Sequence, residues 1–241
     1  MSVAYRAIAF DLGDTLIEYE GIPLNWEAHY PEALTNLSAA LDIQLNGEQL
    51  EQGCEVLRRA NTRLYPREHE ITFAALLTEL LECLGMPGSS PYEESACTQA
   101  FFDVFRQKLR CFPEVPETLS TLRRRGVRLG IYTDVPYGMP TALIQADLLA
   151  TGLEGAVDVL LTSYDTGLRK PTAGALQLLV GQLACHPAAL IHVGNERKDI
   201  QVAKAVGCTS VLIDRAGQGH DWGQDYTISS LTQLCSDFLL S

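Results

Sequence analysis

The chain has 241 residues, 46% hydrophobic and 20% charged, an ordinary mixture for a globular protein with material for one large core or a large and a small domain. A formal net charge of −12 excludes the broadly basic surface of a general nucleic-acid binder. No apolar run nears the roughly 20 residues that span a bilayer.

Residues 3–11 read as the first strand, an apolar run that ends at Asp11 in FDLGDTL. The run after Arg6 meets Asp11 too soon for the apolar stretch of a signal peptide, so a cytoplasmic location is expected. The seven cysteines are scattered and never form a C-x-x-C pair, which fits reduced thiols better than a disulfide framework or a zinc site. Residues 16–112 then break any strand rhythm. Helices are expected over 31–43, 47–64, 70–85 and 91–110, separated by Asn46-Gly47, Pro66 and GMPGSSP at 85–91. This stretch carries 15 acidic and 7 basic residues, a net of −8, leaving −4 for the rest.

From residue 113 helices and strands alternate. The expected order is helix 113–125 stopping at Gly126, strand 127–133, helix 139–151, strand 157–163 and helix 171–184 opened by Pro171. Strand 190–194, helix 197–206 ending at Gly207, strand 209–213 and a last helix over 229–240 complete it. The alternation predicts an α/β fold, a Rossmann-like doubly wound parallel sheet built from 1–15 and 113–241. Residues 16–112 form an all-helical domain inserted after the first strand.

In such sheets ligands bind beyond the carboxyl ends of the strands. Asp11, Thr133 and Asn195 each fall at or just past one. Alone, Asp11 is either a turn residue or a nucleophile. Thr133 adds a hydroxyl that could hold an anion together with the next backbone N–H. Lys170, in GLRKPTAG, precedes a proline at a helix start, a place that attracts negative charge. HVGNERKD then sets Asn195, Glu196 and Asp199 at the end of the fourth strand. Nucleophile, hydroxyl, lysine and acidic cluster, in that order, are the parts for phosphoryl transfer through an aspartyl-phosphate.

As a set these residues resemble the haloacid dehalogenase superfamily: FDLGDTL at 10–16, GIYT at 130–133, RKP at 169–171 and VGNERKD at 193–199. The 97-residue insertion, 16–112, lies between the first two motifs, while Lys170 follows Thr133 by only 37 positions, which resembles the subgroup with a helical cap after the first strand, the C1 type. The resemblance implies Asp11 as nucleophile, with Thr133 and Lys170 as phosphate ligands. It further implies Mg2+ held by Asp11, the Gly13 carbonyl, Asn195 and Asp199, with waters completing the octahedron.

Two departures sharpen the expectation. The family's phosphatases usually carry an aspartate two residues after the nucleophile, which protonates the leaving alcohol and later activates water. Gly13 can do neither, and general acid–base help is worth about 10²- to 10⁴-fold. Asp14 is expected mainly to stabilise the turn by bonding nearby backbone N–H groups, rather than to act as a displaced acid. Asn195 stands where the fourth motif usually opens with Asp, and an amide oxygen lacks the carboxylate's charge. Glu196 could compensate or face solvent. Asp134 could orient substrate or cap a turn.

The resulting expectation is a phosphatase acting on a small phosphorylated metabolite, as monomer or homodimer, without nucleic-acid or membrane partners. With Gly13 in the acid position it should favour leaving groups of low pKa, as in anomeric sugar, acyl or aryl phosphates. The alternative is a binding or regulatory protein on the same fold that has lost efficient turnover. A 2-haloacid dehalogenase fits less well: those relatives rely on an arginine in the segment following the nucleophile, and none lies between Arg6 and Arg58. Arg59, Arg63, Arg67, His69 and Trp26 are the residues of the insertion that could reach a substrate, although solvated or packing roles suit them as well.

Overall fold

The structure, a computed structural model, describes residues 5–22, 25–85 and 91–235. In chain order it begins with strand β1 (Ala7–Phe10) and strand β2 (Ile17–Tyr19), then helices α1 (Tyr30–Ala40), α2 (Gly47–Ala60), α3 (Phe73–Cys83) and α4 (Pro91–Asp103). Strand β3 (Leu109–Cys111), α5 (Val115–Arg124), β4 (Arg128–Thr133), α6 (Thr141–Ala150), β5 (Val159–Thr162) and the short α7 (Ser163–Thr166) follow. The chain continues through α8 (Ala173–Gln182), β6 (Leu190–Gly194), α9 (Arg197–Val206), β7 (Thr209–Ile213) and β8 (Tyr226–Ile228).

Six strands form one parallel sheet in the order β5-β4-β1-β6-β7-β8. All four residues of β1 are fully buried, as a central parallel strand covered on both faces requires. Phe10 is in register with Ile131 of β4 on one side and with Val193 of β6 on the other. The carboxyl ends of these three strands therefore reach one edge together. After β1 the chain builds outward through β4 and β5, then returns to place β6 against β1, so the strand order reverses beside β1. That reversal is where α/β sheets open a crevice.

One face of the sheet packs on α8 and α9. Gly130 permits this closeness, because a Cβ there would lie 3.2 Å from Leu179 and Leu183 methyl carbons. The other face shares a single apolar cluster with the inserted helices, running from Ile8, Phe10 and Ile131 to Tyr30, Leu34 and Phe101. An aromatic group made of Phe73, Phe101, Phe105 and Tyr137 ties the insertion to the loop after β4, with ring centroids 4.9–5.9 Å apart. Gly138 lies under this junction at φ +67°, and a Cβ on it would come within 2.2 Å of the Ile71 carbonyl oxygen.

The predicted α/β architecture is present, with differences at the element ends. The insertion is not wholly helical: β2 and β3 pair antiparallel, Ile17 opposite Cys111, where the chain leaves and re-enters the sheet. Three-residue strands are too short to show alternation, so residues 109 and 110 read as the end of a helix that stops at Asp103. Helix α2 starts on a capping box, Asn46 Oδ1 accepting from the Gln49 N–H and Gln49 Oε1 from the Asn46 N–H, as Asn-Gly suggested. It ends at Ala60 rather than 64 because Asn61 turns extended and buries its amide, donating to the Asn25 carbonyl and the Tyr30 hydroxyl. The sixth strand, β8, was not anticipated. Of the last expected helix, Leu231–Cys235 form a 3-10 turn and the remainder lies outside the described residues, as do residues 3–4 of the first strand. No disulfide joins the seven cysteines, and among the described residues no helix is long and apolar enough to cross a membrane.

Candidate active site

The chain leaves β1 at Asp11, whose N–H donates to the Val193 carbonyl at 2.8 Å and so carries the β1–β6 pairing one residue further. The Asp11 side chain is turned toward a lysine from the opposite side of the crevice. Lys170 Nζ donates to Asp11 Oδ1 at 2.6 Å and to Asp199 Oδ1 at 2.7 Å, with no exposed side-chain surface. The backbone N–H of this lysine donates to Asp134 Oδ1 at 3.1 Å, and the Lys170–Pro171 bond that follows is cis.

Asp199 sits in the first turn of α9 and accepts the Glu196 N–H at 2.9 Å through Oδ2. Its carboxyl rests on Gly194, where a Cβ would fall 2.3–2.4 Å from the Asp199 side chain. That is the physical reason for glycine in VGNERKD. Beneath it His192 is fully buried, Nε2 3.7 Å from Asp199 Oδ1, and neither ring nitrogen has a hydrogen-bond partner among the described residues. Burial lowers its pKa, which favours the neutral ring.

The two aspartates that flank Lys170 differ in electrostatics. Burial pushes the Asp11 carboxyl up to about 6, against the pull of Lys170 and with the help of Asp199. At Asp199 burial works the same way, but the charge of Lys170 overcomes it and holds the carboxylate below the usual range. Lys170 resists its own burial because Asp11 and Asp199 keep it protonated, well above its ordinary value.

In front of Asp11 lies a cavity of about 140 Å³ whose lining includes Gly13, Asp14, Thr133, Asp134, Arg63 and Trp26. Thr133, at the end of β4, shares this lining with Asp11. Asp134 is committed to the protein: besides the Lys170 N–H it holds Lys198 at 3.0 Å. Lys170, Asn195 and Asp199 stand outside this lining. Asn195 accepts from the Thr15 hydroxyl at 3.3 Å and opens on a neighbouring cleft beside Arg215.

Asp14 departs from expectation. Its backbone makes the turn, at φ 56° with its N–H donating to the Ile17 carbonyl at 2.7 Å, while its carboxylate accepts no hydrogen bond among the described residues. Partial burial, then Glu18 and Glu196, raises its pKa. Glu196 does not face solvent freely: Arg63 grips it with two hydrogen bonds of 2.8 and 2.5 Å and also lies 5.9 Å over the Trp26 ring. The turn at Asn61 brings Arg63 off the helix to this position. Arg59 pairs with Glu79 and Arg67 with Glu70, and neither they nor His69 line the cavity.

Sequence reasoning missed Arg169 and Glu70. Arg169 is buried, pairs with Glu70 of the insertion, and donates to the Val135 carbonyl at 2.7 Å. The RKP motif contained the arginine, but nothing local pointed to its partner 99 residues away.

The oxygens expected at a divalent cation are the Asp11 and Asp199 carboxylates, whose Oδ1 atoms accept from Lys170, the Asn195 amide, whose Oδ1 accepts from Thr15, and the Gly13 carbonyl. No group of three or more His, Cys, Asp or Glu is arranged to hold a metal among the described residues. A set of hard oxygens with two carboxylates still suits Mg2+, which keeps several waters and needs only one or two carboxylates from protein.

Comparison with known proteins agrees with this geometry. A phosphoglycolate phosphatase from Yersinia pestis is 25% identical over 233 residues, covering 92% of this chain and 84% of the relative. A crystal structure of a HAD phosphatase from Thermococcus onnurineus superposes with a TM-score of 0.62 at 25% identity, covering 95% of each chain. That of a 2-haloacid dehalogenase from Pseudomonas syringae pv. Tomato gives 0.66 at 25% identity, covering 95% of this chain and 96% of the other. The family model of the haloacid dehalogenase-like hydrolases matches residues 5–207, a span that holds all four motifs, and the chain belongs to that family.

Proposed function

We propose that the protein hydrolyses phosphate monoesters of a small metabolite, with Asp11 as nucleophile. The observation that carries this reading is the Asp11–Lys170–Asp199 cluster at the strand-order reversal, opening on a small cavity shared with Thr133. Likeness to the phosphoglycolate phosphatase over most of both chains supports the same chemistry.

In this mechanism the ester phosphoryl group lies against Asp11, its oxygens held by the Thr133 hydroxyl and Lys170. The lysine offsets the repulsion between an anionic nucleophile and an anionic substrate. An Asp11 carboxylate oxygen attacks phosphorus, the ester oxygen departs with the bonding pair, and an aspartyl-phosphate forms. Water then attacks that phosphorus, releasing inorganic phosphate and restoring Asp11. Asp11, the Gly13 carbonyl, Asn195 and Asp199 would hold Mg2+, which supplies charge neutralisation and polarises the phosphoryl oxygens. Asp199 also keeps Lys170 charged and in place. Residues 16–112 act as a C1-type helical cap on a core of 1–15 and 113–241, joined through the β2–β3 pair. The protein works as a cytoplasmic enzyme, and the empty acid position at Gly13 favours leaving groups of low pKa.

A second reading has one observation behind it. The fold carries Arg63 to the cavity, where an arginine could take a halide, and the P. syringae dehalogenase shares the fold. Against it, Arg63 is already bound by Glu196 on both guanidinium nitrogens that face it. A panel of phosphomonoesters and 2-chloroacids with and without Mg2+, run beside Asp11→Asn, separates the readings. Phosphate release that needs both Mg2+ and Asp11 supports the phosphatase. Metal-independent chloride release would establish the dehalogenase, and tight binding without turnover of anything would leave the regulatory protein.

A further inference from the structure

We propose that the leaving group this site accepts is a small, uncharged aromatic alcohol, so that the substrate is an aryl phosphate monoester rather than one with a second anionic group. The proposal rests on the phosphatase reading and adds the substrate class to it.

Three observations converge. First, the cavity lining has a large apolar component beside its polar residues: Ile22, Trp26 and Phe105 come from the insertion, and Val135, Met139 and Ile144 from the loop after β4 and from α6. Flat aromatic and branched aliphatic surfaces favour a ring, because a hydroxyl set against them finds no hydrogen-bond partner. Tyr19 offers no donor to such a hydroxyl, since its own already donates to Asp147 at 2.9 Å.

Second, every cation on the cavity wall is already taken by a carboxylate of the protein. Arg63 is held by Glu196, Arg169 by Glu70, and Lys198 by Asp134 at 3.0 Å with Glu196 at 3.5 Å. A carboxylate or second phosphate on the leaving group would meet Asp14 and Glu196 and find no free counter-charge among the described residues. Losing its hydration without a partner is costly. This sets the chain apart from its relative named for phosphoglycolate, whose substrate carries a carboxylate two atoms from the ester oxygen.

Third, size and acidity agree. A volume of about 140 Å³ is close to the ~150 Å³ of an apolar cavity that takes up benzene, so the space is on the scale of a single ring. A phenol-type leaving group, with a pKa near 10 like that of a tyrosine side chain, departs without the proton that Gly13 cannot give. The apolar wall and the glycine are independent features, and both select the same class.

The test is a set of four esters assayed with Mg2+: phenyl phosphate, 4-carboxyphenyl phosphate, benzyl phosphate and 2-phosphoglycolate. The first pair share leaving-group acidity and differ in charge. Benzyl phosphate and phosphoglycolate, both alkyl esters, contrast an uncharged ring with a carboxylate in its place. Phenyl phosphate should exceed 4-carboxyphenyl phosphate by about tenfold or more in kcat/KM, mostly through KM, and benzyl phosphate should exceed phosphoglycolate likewise. Trp26→Ala should shrink both ratios and Trp26→Phe should keep them, with circular dichroism confirming the fold. Glu196→Gln, by releasing Arg63, should shift both ratios toward the carboxylated ester. Asp11-dependent hydrolysis with the carboxylated esters equal or better would overturn the substrate class and leave the phosphatase standing. No Asp11-dependent hydrolysis of any of the four would overturn the substrate class, and the wider phosphomonoester panel then decides the phosphatase reading.

Discussion

Asp11 and Asp199 share one lysine and titrate in opposite directions, which gives each a different consequence at the residue scale. The Asp11 carboxyl, raised from an ordinary 3.8 to about 6, binds its proton more tightly in the folded than in the unfolded chain. Its contribution to stability is therefore fully present below about pH 4 and lost as pH rises through 6. In metal-free buffer the melting temperature of Asp11→Asn, taken relative to the parent protein, should climb as pH goes from 4 to 7. A domain of this length moves roughly 2–4 °C per kcal/mol. A difference that stays flat across that range would show that Lys170 fully compensates the buried charge. Gly13 gives a second residue-scale test. A Cβ there meets no atom within 4 Å, so Gly13→Asp should fold normally and raise activity on alkyl phosphates. The gain could approach the lower end of the 10²- to 10⁴-fold worth of a general acid. No gain in a folded variant would indicate that another group, with Asp14 the nearest unbonded carboxylate, already delivers the proton. These residues were readable because strand ends and a proline-opened helix mark positions in one dimension. The Arg63–Glu196 grip spans 133 residues and had no local signature.

At the scale of elements, two glycines show how closely the pieces that make the site must approach. Gly194 lets the first turn of α9 bring Asp199 against the end of β6. Gly194→Ala should push that turn away, cutting activity at least as far as stability, and unchanged kcat/KM would mean Asp199 tolerates displacement. Gly138 combines φ +67° with a backbone neighbour in the space of a Cβ, under the contact between the β4–α6 loop and the start of α3. Gly138→Ala should cost on the order of 2 kcal/mol or more in urea unfolding, through strain and overpacking together. A loss below about 0.5 kcal/mol would mean the loop yields freely. The strands β6 and β7 and helix α9 were legible to the residue because apolar runs between glycine stops leave little choice of boundary. The short β2–β3 and β8 strands were not, since pairing rather than periodicity creates them.

For the whole molecule, the alternation of strands and helices was enough to foresee the sheet and the place of its crevice. It could not foresee that the inserted helices would join the sheet's apolar core in one cluster, or that Arg169 and Glu70 would bind the two parts beside the cavity. Contacts of that kind depend on tertiary packing, which also decides what the cavity wall looks like and so what it can admit. The central claim is that Asp11 carries the phosphoryl group during turnover. It is tested most directly by acid-quenching the protein during turnover of phenyl phosphate with Mg2+ and analysing its peptides by mass spectrometry. A phosphoryl adduct on the peptide containing Asp11, absent in Asp11→Asn together with phosphate release, is the expected result. Steady phosphate release by the folded Asp11→Asn protein would contradict the account.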